Sequence, residues 1–434
     1  MVREEVRYWE PQIELMAKER FQRLQLERLR HMLKYVYERI PFYHRKFDEA
    51  NVKPDDLRTL DDLQKFPFTV KDELREHGPP HGLLAVPRER LVNFQMSSGT
   101  TGVATIYPYT RSDIELWTNL IARQMTCAGV RPGDLILNAY GYHLFTGGLG
   151  THYGAHRMGA SVIPWGAGRT DALIDALRDR GATVLAGTPS YMYHISERIQ
   201  ERGIDPVEEL NLRIALPGAE IWSPGMRERI NEGLGLRAHG GGARDYYGSS
   251  DQIGPGGGGE CVFERGIHFW TDHFYLEIID PDTGETLGPG EEGEMVFTHL
   301  TREAQPLIRF RQGDITVVDK ESCECGRVFP LLSRITGRAD DMVIYKGSKF
   351  WPRQVEAVLM RFPEVTGEYQ IVWNKTAIPP EVYVKVESKT PTVELENRLR
   401  QAFLDELLVR PKVEFVEPGT LPRSMGKAKR LIVK

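Results

Sequence analysis

No stretch of the chain approaches the ~18 consecutive apolar residues of a membrane-spanning helix. A basic excess is missing as well. Lys and Arg number 56 against 61 Asp and Glu, a formal net charge of −5. That argues against a protein that coats nucleic acid, which needs a basic face. Cysteine is scarce: four residues in 434 do not make a disulfide framework. The N-terminus, MVREEVRYWEPQIELM, is charged and lacks the apolar core of a signal peptide. These absences lead us to expect a cytoplasmic protein with neither a membrane nor a nucleic acid as partner. One further absence is local. Residues 93–110, NFQMSSGTTGVATIYPYT, look like a loop built to hold phosphate, yet contain no lysine. A loop of the GxxxxGK[ST] kind sets a Lys against the β- and γ-phosphates, and here Val103 follows the last glycine. A nucleotide site at this place must take its cation from elsewhere.

What is present is ordinary for a globular protein, with 41% hydrophobic and 27% charged residues. The length suggests two or three domains. From Gln22 to Ile40, Leu26, Leu29, Leu33, Val36 and Ile40 recur at steps of three and four, one helical stripe stopped by Pro41. The stripe suits core packing or a subunit contact, and a homodimer is the expected assembly. From about residue 111, helical segments such as RSDIELWTNLIARQMTCAG, TDALIDALRDRG and SYMYHISERIQERG alternate with short apolar runs, DLILNAY, ASVIPW, ATVLAGT and LRIALPG. That alternation predicts βαβ units and a parallel sheet. HFYLEIIDPDTGETLGPGEEGEMVFTHL reads as an antiparallel hairpin around Gly, Pro and Asp turns. The last hundred residues read as a small α+β domain. The fold class is therefore α/β with an antiparallel portion, divided into 1–338 and 339–434.

Several segments carry chemistry. Ser97-Ser98-Gly99-Thr100-Thr101-Gly102 offers hydroxyls and approachable backbone N–H groups suited to an anion. RDYYGSSDQIGPG sets Asp245 before two aromatics, Tyr246 and Tyr247, then Gly248, Ser249, Ser250 and a second acid, Asp251. An aromatic can stack on a base and an acid can hold Mg²⁺. RFRQGD ends at Asp314, able to take two ribose hydroxyls; TGRADDMVIYKG and LPRSMGKAKR follow. Separately, Cys323 and Cys325 stand in ESCECGR, and Cys261 precedes His268 by seven residues. Three thiolates and an imidazole complete a tetrahedral zinc site. His268 is the expected fourth ligand and His273 its rival, whereas Cys127, inside a helix, is expected in the core.

These motifs, in this order, closely resemble the adenylate-forming enzymes: acyl-CoA synthetases, peptide-synthetase adenylation domains and luciferases. Within that superfamily the phenylacetate–CoA ligases are most similar, with SSGTTGKPT, YGxSE followed by GPG, RxRxxD, GRxDDM and a terminal PRxxGK. The resemblance covers essentially the whole chain. It implies that residues 97–102 wrap the β- and γ-phosphates, and that Gly218, Ala219 and Glu220 line the adenine pocket with Asp245, Tyr246 and Tyr247. It implies that Asp314 and Arg338 fix the ribose, and that Asp251, where the family has Glu, binds Mg²⁺. The missing cation becomes Lys427, on a small C-terminal domain that turns about a hinge near Asp340. By analogy with members that take aryl acids, Tyr140, Tyr142 and Phe145 wall the acyl pocket, with His143 as a polar contact. The implied function is an ATP-dependent aryl-carboxylate–CoA ligase, using ATP, Mg²⁺ and coenzyme A, and carrying a structural Zn²⁺. The alternatives are an adenylating enzyme that loads a carrier protein or amine, and a nucleotide sensor that has lost turnover, which Val103 and Asp251 make conceivable.

Overall fold

The structure, a computed structural model, describes residues 5–78, 83–96, 105–144, 146–346, 348–377, 380–423 and 428–434. The chain separates into two compact units. One comprises Met1–Gly166 with Arg244–Arg334, the other Ala167–Ala243 with Ile335–Lys434.

In the first unit the helix Lys18–Arg39 buries Leu29, Leu33 and Val36, with Ile40 closing it. The apolar stripe is thus occupied inside its own chain. Pro41 both ends that helix and opens the next, Pro41–Glu49, where its missing N–H costs nothing. The helix Arg111–Cys127 starts with a capping box: Thr110 accepts from the Asp113 N–H while Asp113 accepts from that of Thr110. Leu135–Asn138 and Ser161–Ile163 pair in parallel, as the alternating pattern predicts. The segment read as a hairpin is antiparallel, with Phe274–Ile279 against Glu292–His299, and Phe310–Val317 pairs on its far side.

The five glycines among residues 254–259 need a tertiary explanation. They form the strand Gly254–Glu260, which lies against the helix Arg111–Cys127. A Cβ at Gly254 would stand 2.8 Å from the Trp117 indole nitrogen, and one at Gly259 2.7 Å from the Gln124 side chain. Side chains of the helix already fill the space that a side chain on these strand residues would need.

In the second unit, Val184–Gly187, Ile214–Pro217 and Gly242–Ala243 form a parallel sheet with the helices Thr170–Arg180, Pro189–Glu201 and Pro224–Gly233 beside them in sequence. The C-terminal part is a four-stranded sheet in the order 412–416, 381–388, 365–374, 431–433, with the helices Pro352–Leu359 and Val393–Leu407. The two parts are joined closely. Glu356, fully buried, accepts the Ser223 N–H at 2.7 Å, and Arg229 donates to the carbonyls of Met360 and Phe362 at 3.0 and 3.1 Å. Burial raises the Glu356 carboxyl above the usual range, with Arg430 opposing the shift. Among the described residues no helix is long and apolar enough to cross a membrane.

Candidate active site

Residues 97–104, Phe145 and Lys427 lie outside the described residues, and with them the whole Ser97–Gly102 run. The flanks of the loop are described. Met96 and Ile106 pair across an antiparallel ribbon, so both ends of the loop leave from one place. The residue after Ile106, Tyr107, is buried and donates its hydroxyl to Oδ1 of Asp251. Oδ2 of Asp251 faces Lys71 Nζ at 3.4 Å, and the carboxylate is nearly enclosed. Burial first, and then the Asp251 charge, push the Tyr107 phenol well above its ordinary value, so it remains a donor. Arg302, also buried, grips the carbonyls of Asp251 and Gln252 at 3.3 and 3.0 Å and lies 5.2 Å over the Tyr109 ring.

Lys71 escapes a motif search because nothing in TVKDELREH resembles a phosphate loop. A signal nevertheless exists. Lys71 is the first residue of the helix Lys71–His77, where the helix dipole disfavours a cation, and a lysine there suggests an anion nearby.

Asp314 stands beside Tyr247. Tyr247 donates to Asp314 Oδ2 at 2.7 Å, and Gln312 Nε2 reaches both that oxygen and the Tyr247 hydroxyl, at 2.6 and 2.8 Å. Gln252 completes the chain by donating to Gln312 at 2.8 Å. This network ties the Tyr246–Ser249 strand to Phe310–Val317 and orients the Asp314 carboxylate. Burial and the Asp314 charge raise the Tyr247 phenol. The Asp245 carboxylate lies 3.6 Å from Arg334, whose guanidinium also reaches buried Glu260 at 3.5 Å.

Tyr246, 2% exposed, stacks on Tyr140 with centroids 6.3 Å apart and planes 23° from parallel. Of the expected acyl-pocket residues, Tyr140 and Tyr142 are brought together by Asn138. Asn138 accepts from the Tyr140 N–H at 3.2 Å and donates to the Tyr142 hydroxyl at 2.7 Å. His152 Nδ1 lies 3.2 Å from that hydroxyl. Burial, then the neighbouring His156, hold His152 below the ordinary histidine value. His143 is exposed.

In the second unit, Gly218 donates to the Gly187 carbonyl at 3.2 Å, Ala219 is left-handed at φ 69°, and Glu220 turns toward Ser190. Arg338 Nε donates to Asp340 at 3.0 Å, so the expected ribose and hinge residues pair with one another in a short turn.

Cys261, His268, Cys323 and Cys325 come together, all buried, with one donor atom from each within 4.8 Å of the others. Cys261 and Cys323 Sγ are 3.6 Å apart, and Cys325 Sγ is 3.3 Å from His268 Nε2. The first distance excludes a disulfide and matches the ~3.8 Å sulfur–sulfur edge of a tetrahedron with Zn–S bonds of ~2.3 Å. The residues therefore fit zinc. His273 is engaged otherwise, through Thr301 at 2.8 Å and Asp272 at 3.1 Å, and is not the fourth member. Cys127 is buried in its helix, as expected.

Comparison with known proteins identifies the family. Residues 19–300 match the family model of the AMP-binding enzymes, and residues 347–434 that of the AMP-binding enzyme C-terminal domain. A phenylacetate–coenzyme A ligase of Thermus thermophilus is 43% identical, over 98% of this chain and 99% of its own. A 2-hydroxyisobutyryl-CoA ligase solved in the postadenylation state with 2-HIB-AMP superposes at a TM-score of 0.91, 30% identical, over 100% of this chain and 94% of that one. The same ligase with 2-HIB-AMP and CoA in the thioesterification state gives 0.71, at 31% identity over 98% and 91%. The chain belongs to the AMP-binding enzyme family, among the phenylacetate–CoA ligase-like members, and is an AMP-forming acid–CoA ligase.

Proposed function

We propose that the acid is aromatic and phenylacetate-like. The observation that carries this reading is the Tyr140–Tyr246 stack: two rigid rings at one end of the Asn138–Tyr142–His152 hydrogen-bonded chain suit a flat ring with a polar edge. Gly147 supports it, since a Cβ there would press on the Tyr140 ring at 3.3 Å. The phenylacetate–CoA ligase relative points to the same substrate class.

The chemistry proceeds in two displacements. A carboxylate oxygen attacks the α-phosphorus of ATP; the bond from that phosphorus to the bridging oxygen breaks, and pyrophosphate leaves. The thiol of CoA then attacks the acyl carbon, the carbon–oxygen bond to AMP breaks, and the thiol proton is released. Both partners in the first step are anions, so the site must place positive charge where they crowd. Lys427 has that role, and Lys71, held beside Asp251, supplies the charge that Val103 does not. Asp251 offers one buried carboxylate, the donor set that suits Mg²⁺ when the phosphates provide the remaining oxygens. Bound Mg²⁺ would neutralise phosphate charge. Tyr247 and Gln312 hold Asp314 for the ribose hydroxyls.

In this reading residues 339–434 are a mobile lid that brings Lys427 in for the first step and withdraws it for the second. The Cys261–His268–Cys323–Cys325 cluster holds one structural Zn²⁺ with every ligand from protein. A cytoplasmic location agrees with four cysteines, none of which is paired in a disulfide. Acid-dependent ATP–pyrophosphate exchange, run over a panel of aryl and small aliphatic acids and followed by detection of the CoA thioester, tests the proposal. Exchange supported by short aliphatic acids and not by arylacetates would sink it.

A further inference from the structure

Ala219 takes a left-handed backbone, φ 69°, directly after the strand Ile214–Pro217. An L-residue is strained there, and such strain persists where the surroundings impose it. The turn aims Glu220 at the start of the helix Pro189–Glu201. Glu220 Oε2 accepts the Ser190 N–H at 3.0 Å, and Oε1 accepts the Ser190 hydroxyl at 2.9 Å. Oε1 also accepts the backbone N–H of Ala428, the residue that follows Lys427. The chain on either side of Lys427 is otherwise anchored within residues 335–434. Arg423 pairs with Glu387 at 2.8 and 2.7 Å, and Arg430 with Glu368 at 2.6 Å. The Glu220 bond reaches out of that segment, to residues 167–243.

We propose that Glu220 is a positioning residue for adenylate formation. Its carboxylate, aimed by Ala219 and clamped by Ser190, holds the backbone next to Lys427 during the first half-reaction and lets go when the lid turns for the second. The inference rests on the reading of Lys427 and the lid given above. A carboxylate suits the task because its two oxygens serve three donors at once, and charge-assisted bonds are stronger than neutral ones. The start of the Pro189–Glu201 helix, where backbone N–H groups are left without helical partners, suits an oxygen acceptor. Glu220 touches no reacting atom in this role, which differs from the adenine-lining role that the family resemblance implies. The two roles separate experimentally.

The test compares Glu220→Ala, Glu220→Gln and Ser190→Ala with wild type in two assays. One is acid-dependent ATP–pyrophosphate exchange, giving kcat and KM for ATP. The other is thioester formation from supplied acyl-adenylate and CoA. The latch predicts that Glu220→Ala lowers exchange kcat about tenfold or more with KM for ATP unchanged, as loss of a charge-assisted bond implies. Conversion of supplied adenylate should persist, Glu220→Gln should recover part of the exchange because its one amide oxygen can still accept from Ala428, and Ser190→Ala should also keep part of it. A raised KM for ATP at normal kcat, or equal loss in both half-reactions, would overturn the latch and leave the ligase reading intact. Exchange absent from the wild-type enzyme with every acid would overturn both.

Discussion

At the scale of single residues, the contrast between two lysines tests where the positive charge comes from. Lys427→Ala should nearly abolish adenylate formation while the variant still converts supplied adenylate and CoA to thioester; near-normal exchange would remove Lys427 from the mechanism. Lys71→Ala should slow exchange by about 100-fold or more, the size expected for a preorganised electrostatic group. It also strips the ion pair from Asp251, so KM for Mg²⁺ is the second readout, and exchange at the wild-type rate would dismiss Lys71. His299 yields a pH prediction. It accepts the Leu307 N–H at Nδ1, 2.9 Å away, and donates from Nε2 to the Gln252 carbonyl, so it is neutral and its tautomer is set by its neighbours. Burial, then Arg302, hold it well below the ordinary histidine value. A depressed folded value means the unfolded chain binds the proton more readily. This contribution is therefore complete above about pH 6.5 and lost as the pH falls below it, at no more than ~1.4 kcal/mol per pH unit. Melting temperature followed from pH 7.5 to 5 should fall, and His299→Gln, although less stable, should fall less steeply. Parallel curves would show that other groups set the slope.

At the scale of elements, the cysteine loop anchors more than itself. The Cys325 carbonyl accepts the Tyr8 hydroxyl at 2.6 Å, Arg327 pairs with buried Glu14 at 2.7 Å, and the Val328 N–H binds the Glu14 carbonyl at 2.8 Å. The N-terminal segment is thus buckled onto the loop that carries two of the four ligands. Cys261→Ser, or removal of metal by a chelator, should lower the melting temperature by several degrees, because a structural metal contributes folding energy directly. It should also open residues 5–14 to protease. The direct measurement is elemental analysis of untagged protein purified without added metal. Less than about a tenth of an equivalent of zinc, with thiols that react freely in the native state as unliganded cysteines do, would rule the site out.

At the scale of the whole molecule, the lid is the question. Residues 335–434 pack on 167–243 through Glu356 and Ser223, through Arg229 and the carbonyls of Met360 and Phe362, and through Ala428 and Glu220. The proposed rotation about Asp340 would have to break these contacts, so each state would need its own set. Asp340→Pro fixes φ at the proposed pivot. The adenylation and thioesterification half-reactions should then respond unequally. Equal loss of both in a variant of normal stability would argue against alternation.

What the sequence determined alone was whatever local chemistry writes. Periodicity marked the helices and strands, because a core face repeats every 3.6 or 2 residues whatever lies opposite. The three cysteines and His268 were legible since few side chains bind a soft metal, although the choice of His268 over His273 needed the distance to Cys325 Sγ. Motif order identified the ligase, because loops that meet a nucleotide must present particular groups at particular spacings. Tertiary structure alone decided the pairings between remote segments. Lys71 meets Asp251 across 180 residues, and Ala428 meets Glu220 across 208. The glycines of 254–259 form a strand through pairing with 246–249 and 267–269, and Ala219 is left-handed where Glu220 meets Ser190. None of these has a local signature strong enough to read. Each is a contact whose two halves obey separate local rules and acquire their meaning only when the chain has folded.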